Sequence, residues 1–183
     1  MKQSNFKNFY HSKKDEHILI KHTITQKLKS VRYEPLTLED IKSFTKETGW
    51  TFEEKEWQDY VGVSNVYPVK IMLMDNDRIE GVIVYKENYD IDGLFILWME
   101  SASHNRSYKG SGKREFDYIS ENLLAYVCKK SELLKYDFVA LKSKGNLKLD
   151  NFYLNLGFER FPFDRYMGIA DASLKKLISI YYN

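Results

Sequence analysis

The stretch HNRSYKGSGKREF, residues 104–116, sets Gly110 and Gly112 among Arg106, Lys109, Lys113 and Arg114. Glycine lets main-chain N–H groups come close to an anion, and the basic side chains add positive charge, so the chemistry on offer is phosphate binding. Spacing excludes two familiar phosphate loops. A Walker loop needs G-x-x-x-x-G-K-[ST], but Ser107 stands where the first glycine belongs and Arg114 where the magnesium-binding hydroxyl belongs. A dinucleotide fingerprint needs a third glycine, and Glu115 occupies that position. Thirty-odd residues further on, NLKLDNFYLNLGF (146–158) brings Asn146, Tyr153, Gly157 and Phe158 together at helical spacing.

The elements that must hold these residues follow from hydrophobic period. Before the loop, PVKIMLM (68–74), DNDR (75–78) and IEGVIVYKE (79–87) read as a β-hairpin, and GLFILWMESAS (93–103) as a central strand that starts apolar on both faces. After it, Phe116, Ile119, Leu123 and Val127 recur at helical spacing, which predicts a helix over 113–130. DFVALK (137–142) is a buried strand, and Asn146 caps a short helix that Gly157 stops. Upstream, SVRYEPL (30–36) is a strand, while TLEDIKSFTKETG (37–49) and TFEEKEWQDYV (51–61) are helices. FERF and RYMGIA supply the last strands and DASLKKLISIYY (171–182) a terminal helix. The fold class is therefore α/β (α+β), with a mixed central sheet flanked by helices.

Composition bounds the rest. The 183 residues suit one domain, and a hydrophobic share of 43% with three prolines is that of a folded chain. Residues 1–28 form a basic extension ahead of a domain at 29–183; seven lysines against Asp15 and Glu16 make residues 1–29 net +5, although the whole chain is only +2. That total gives no drive toward nucleic acid. Cys128 is the single cysteine, so an intrachain disulfide and a cysteine metal cluster are both excluded, and the cytoplasm is the expected compartment. The longest apolar run is six residues, LFILWM, against the roughly 20 that span a membrane.

The order of apolar strand, SYKGSG loop, amphipathic helix, buried strand and N-x6-Y-x3-G-F resembles the GCN5-related N-acetyltransferase (GNAT) family over about residues 30–170. Ser107, where that family usually has Gln or Arg, and Leu149, where alanine is common, depart from it. The resemblance implies a mostly antiparallel sheet with splayed central strands, and acetyl-coenzyme A as cofactor between them. Cofactor binding then falls to Ser101, Ala102, Ser103, Ser107, Tyr108, Lys109, Gly110, Ser111, Gly112, Lys113, Asn146 and Tyr153, with Lys109, Lys113 and Arg114 adding charge for phosphates. No metal is called for.

By the same resemblance, an acetyl group passes to a primary amine by direct attack in a ternary complex, and Tyr153 gives a proton to the departing sulfur. An alkyl ammonium titrates near ~10, so a base must remove its proton. Glu100 is the ionisable group of the strand before the loop and the candidate base, since Ile96 and Trp98, at the family's usual base positions, accept no proton. A main-chain N–H between Met99 and Ser101 would hold the oxyanion. His104 reads as an exposed turn histidine. The acceptor, a small molecule or peptide amine, would meet walls at 48–57, 88–92 and 161–166, with Trp50, Trp57, Glu53, Glu54, Asp90 and Asp92 as candidate contacts; a homodimer is the candidate assembly. The rival reading is an acyl-coenzyme A sensor without turnover.

Overall fold

The computed structural model describes residues 18–106, 114–162 and 164–182. Its apolar runs become a nine-stranded sheet in the order β6-β1-β2-β3-β4-β5-β7-β9-β8. The strands are β1 (Leu19–His22), β2 (Leu28–Pro35), β3 (Val66–Leu73), β4 (Ile79–Asn88), β5 (Gly93–Ser101), β6 (Phe116–Asp117), β7 (Phe138–Lys142), β8 (Glu159–Arg160) and β9 (Tyr166–Ala170). Every pairing is antiparallel except β5 with β7. A parallel neighbour requires a crossover. Here the connection runs through α3 (Ile119–Leu133), the helix expected after the glycine loop.

Each face of the sheet buries its own cluster. On one side, Ile83, Tyr85, Leu94, Ile96, Val139 and Leu141 meet Leu123, Leu124 and Val127 of α3 and Leu174, Leu177 and Ile178 of α5 (Asp171–Tyr181). On the other, Val82 and Val84 meet Leu36, Ile41, Phe44, Trp50 and Trp57 from α1 (Leu38–Ile41), α2 (Glu54–Gln58) and the chain between them. The last helix of the motif, α4 (Leu147–Asn155), begins at Asn146, whose side chain accepts from the Lys148 and Leu149 N–H groups. Among the described residues no helix is long and apolar enough to cross a membrane.

Two helices, α1 and α3, differ from the sequence expectation, each for a local reason. The helix expected over 37–49 stops at Ile41, although Thr37 and Asp40 form its capping box. Ser43, Thr45 and Thr48 offer hydroxyls that compete for main-chain groups: Thr48 Oγ1 donates to the Ser43 carbonyl at 2.8 Å, and the Thr45 N–H donates to Thr48 Oγ1 at 3.0 Å. The helix expected over 113–130 begins at Ile119 instead, because Phe116 is drawn into β6 and pairs with His22. Leu19–His22, where the alternation of HILIKHTIT (17–25) hints at a strand or an appended helix, lies in the sheet between β2 and β6.

Candidate functional site

The centre of the molecule opens where one residue of β5 has no partner. Val84 pairs with Trp98 and Tyr85 with Ile96, so Leu97 is an extra residue against β4. Such a bulge bends its strand and reverses which face the following side chains take. Ile96 accordingly joins the cluster under α3, whereas Trp98 packs with the cluster on the α1–α2 face. At the same place β5 and β7 part: their parallel pairing runs from Leu94↔Val139 to Ile96↔Leu141 and ends. Beyond that, β7 follows β9, with Lys142 paired to Tyr166 and the Ser143 N–H donating to the Arg165 carbonyl at 2.7 Å. From Leu97 onward, β5 has no strand partner on that edge among the described residues.

Trp98 and Glu100 occupy the freed half of β5. The Trp98 ring stacks on Phe52 at 3.8 Å and 14° between planes, and Lys144 Nζ stands 3.5 Å from the Trp98 ring centroid. Two groups that close to one centroid must lie on opposite faces, so the indole is sandwiched. Its Nε1 is buried without a hydrogen-bond partner among the described residues. Desolvation pushes the Lys144 ammonium below its ordinary pKa, and the Glu100 charge opposes that shift. Glu100 is 7% exposed, and its carboxylate accepts from the Thr51 N–H at 2.5 Å and the Phe52 N–H at 3.4 Å while pairing with Arg106. Arg106 also donates to the Ser101 carbonyl at 2.6 Å and to Thr51 Oγ1 at 3.2 Å. Glu100 and Arg106 therefore tie the 51–52 segment to the end of β5, which seats Phe52 on Trp98.

The other expected site residues lie on α4 and at the end of β5. Tyr153, on α4, is half-buried with its ring against Phe152 and Phe158, at centroid distances of 5.4 and 5.7 Å. Burial, helped by the Asp150 charge, pushes its phenol up to about 12. Asn146 spends its side-chain oxygen on the α4 cap, the structural half of the role read for it. Ser101 Oγ lies 3.1 Å from Ser120 Oγ and so links the end of β5 to the start of α3; the Ala102 N–H donates to the Glu80 carbonyl at 2.9 Å, and Ser103 Oγ donates to the Thr48 carbonyl at 3.3 Å.

The expected phosphate-loop residues Ser107, Tyr108, Lys109, Gly110, Ser111, Gly112 and Lys113 lie outside the described residues. The two flanks of that stretch are held together. The Glu115 N–H donates to the His104 carbonyl at 2.8 Å, and the Phe116 N–H to Asn105 Oδ1 at 3.1 Å. Beneath them sits the fully buried Glu80, which contacts His104 Nε2 at 2.7 Å, Asn105 Nδ2 at 2.8 Å and Arg78 Nε at 2.7 Å. Burial pushes the Glu80 carboxyl up, but these hydrogen bonds outweigh it and hold the group below its ordinary value. His104 is thus an inward partner of Glu80 rather than an exposed turn residue. Arg114, assigned to phosphate, pairs with Asp117, and residues 114–118 stand between the loop and the N-terminus of α3.

The expected acceptor contacts disperse. Trp50 and Trp57 are core residues, at 7% and 0% exposure, with Trp50 stacked on Phe44 at 4.1 Å. Glu53 caps α2 and Glu54 accepts from Gln58. Asp90 and Asp92 sit in the turn before β5, about 25 Å from Glu100 at the usual strand rise. Sequence reasoning missed Lys144, Arg106 and Glu80 as partners. Apart from the resemblance that implied splayed strands, the signal for the opening was the broken alternation in FILWM, where a bulge resets the faces.

No family model and no curated protein matches the sequence. Solved structures do. A candidate streptothricin acetyltransferase from Bacillus anthracis, in complex with acetyl coenzyme A, is 16% identical and superposes with a TM-score of 0.57 over 78% of this chain and 98% of its own. The ribosomal-protein-S18-alanine N-acetyltransferase of Escherichia coli is 12% identical, with a TM-score of 0.56 over 76% and 93%. A GNAT-family acetyltransferase from Staphylococcus aureus is 14% identical, with a TM-score of 0.54 over 77% and 99%. With its bulged β5, its parted parallel strands and its single mostly antiparallel sheet, the chain has the fold of the GCN5-related N-acetyltransferases.

Proposed function

We propose that the chain is an acetyl-coenzyme A-dependent N-acetyltransferase acting on a primary amine by direct attack in a ternary complex. The observation that carries this reading is the parting of β5 from β7 after Ile96, immediately at the Leu97 bulge. It leaves the inner edge of β5 from Leu97 onward without a strand partner among the described residues, and main-chain groups that lack one demand a partner. The buried Trp98 Nε1 that lacks an acceptor lies on the same half-strand. An extended, amide-bearing arm fits those needs, and acetyl-coenzyme A has one. When bound, the cofactor supplies an acetyl group activated as a thioester. The residues that would hold it are the edge of β5 from Leu97 to Ser101, the 107–113 loop, Asn146 and Tyr153.

The chain's own residues then divide the remaining work. Tyr153 keeps its proton at neutral pH, because its phenol is pushed up to about 12, and it makes no hydrogen bond among the described residues that would compete for that proton. It is the proposed acid for the leaving sulfur. Glu100 is the proposed base, working through water, since three donors already occupy most of the roughly four acceptor positions of a carboxylate. Cys128 is fully buried in α3, and desolvation pushes its thiol up, so a covalent route through it is disfavoured.

A turnover screen with acetyl-coenzyme A against diverse amines and peptides tests the reading, with Tyr153→Phe and Glu100→Gln as controls. Loss in Tyr153→Phe supports it, whereas equal rates in both variants overturn the assignment of roles. The second reading, a donor-binding module without turnover, is favoured by the commitment of Glu100 to Thr51, Phe52 and Arg106. Calorimetric binding of acetyl-coenzyme A with no turnover on any amine would select it.

A further inference from the structure

The opening between β5 and β7 already contains an amine. Lys144 lies two residues past the end of β7, and its Nζ crosses to Trp98 on β5, two residues past the last β5–β7 pair. We infer that Lys144 is an internal acceptor, acetylated by the thioester that the cleft binds. This rests on the cofactor reading above and goes beyond it by placing the first acceptor within the chain itself.

Three observations carry the inference. First, position: a cation–π contact at 3.5 Å holds the nitrogen on the half-strand that has lost its partner, where the proposed donor arm would run. Second, commitment: among the described residues, the ion pairs that hold other lysines, such as Lys42 with Glu39, Lys70 with Asp40 and Lys142 with Asp164, have no counterpart at Lys144. An amine resting on an indole surrenders less on leaving it than one held by a carboxylate. Third, protonation: desolvation lowers the Lys144 ammonium, whereas Lys42 and Lys142 are raised by their carboxylate partners, so Lys144 presents the larger neutral fraction.

The step balances without another reagent. The neutral Lys144 nitrogen forms a bond to the thioester carbonyl carbon and the carbon–sulfur bond breaks. The thiolate leaves with the electron pair and takes up the proton that the nitrogen sheds. The products are Nε-acetyl-lysine and the free thiol of coenzyme A. Acetylation removes the charge and with it the hold on Trp98, so the product side chain has no electrostatic reason to stay in the cleft.

The test uses the full chain with acetyl-coenzyme A carrying a heavy-isotope acetyl group, without added amine. Peptide mapping should show label on Lys144 at least about tenfold faster than on Lys42, because an amine held beside the bound thioester gains the advantage of proximity. Unfolding in urea should bring the two lysines to the same rate. In Lys144→Arg, donor binding measured by calorimetry should persist while intact mass shows no rapid single acetylation. Equal labelling of Lys144 and Lys42 in a folded chain that binds the donor would overturn the inference and leave the cofactor reading standing. No binding heat at all would overturn both.

Discussion

Tyr153 and Glu80 show how differently two ionisable residues are held by their surroundings. Tyr153 is held protonated by burial, and if it supplies the proton for the leaving sulfur, Tyr153→Phe should lower kcat about a hundredfold with little change in KM for the donor. Steady-state kinetics on the best acceptor reads this. Glu80 touches nothing in the cleft, yet it holds His104, Asn105 and Arg78 under the flanks of the 107–113 loop. Removing one member of a buried charged network leaves its partners uncompensated, so Glu80→Gln should lose ~3 kcal/mol in denaturant unfolding. The pH dependence follows its sign. Because the folded Glu80 carboxyl sits below its ordinary value, its contribution is full above the unfolded pKa and disappears as pH falls through the folded one. The acid limb of the stability profile should therefore be shallower in Glu80→Gln. Of these two residues, the sequence singles out only Tyr153, through its spacing from Asn146 and Gly157. Glu80 reads there as an ordinary strand residue, since its partners come from a segment that only the folded sheet brings to it.

At the level of elements, the placing of α3 decides the geometry of the cleft. Gly81 on β4 makes that placing tight: a Cβ there would meet Ile119 Cγ2 at 2.8 Å, the Glu100 carbonyl at 3.2 Å and Leu123 Cδ1 at 3.2 Å. Gly81→Ala should push the first turn of α3 away from β4, destabilise the chain by about 2 kcal/mol and weaken donor binding, measured by thermal unfolding and calorimetry. Strands and helices were largely legible because their hydrophobic periods are long and regular. Their ends were not. The serine and threonine hydroxyls after Ile41 truncate α1, and the pull of β1 on Phe116 moves the start of α3 to Ile119. Both effects depend on local competition for main-chain groups, which an apolar period does not record. The bulge at Leu97 is of the same kind, and it alone decides that Trp98 and Glu100 face the 51–52 segment.

The whole molecule works as two cores on one sheet, and the cleft depends on both. Trp57 is fully buried on the α1–α2 side, and its Nε1 donates to the Phe52 carbonyl at 3.2 Å. Trp57→Ala should cost about 4 kcal/mol and should also loosen Phe52 on Trp98, so that quenching of indole fluorescence changes together with stability. The sheet itself ends in two-residue strands, β6 on one edge and β8 on the other, a length that gives another chain little to pair with. During synthesis this protection is uneven. β8 emerges just ahead of its partner β9, but β1 emerges long before β6, so the outer edge of the β1–β2 hairpin must wait for most of the sheet to be made. When β6 does arrive, it brings the exit of the 107–113 loop with it, and the Thr23 N–H donates to the Glu115 carbonyl at 2.9 Å. The arrival of β6 therefore pairs Lys21 and His22 of the waiting β1 edge and sets the loop's exit in the same step.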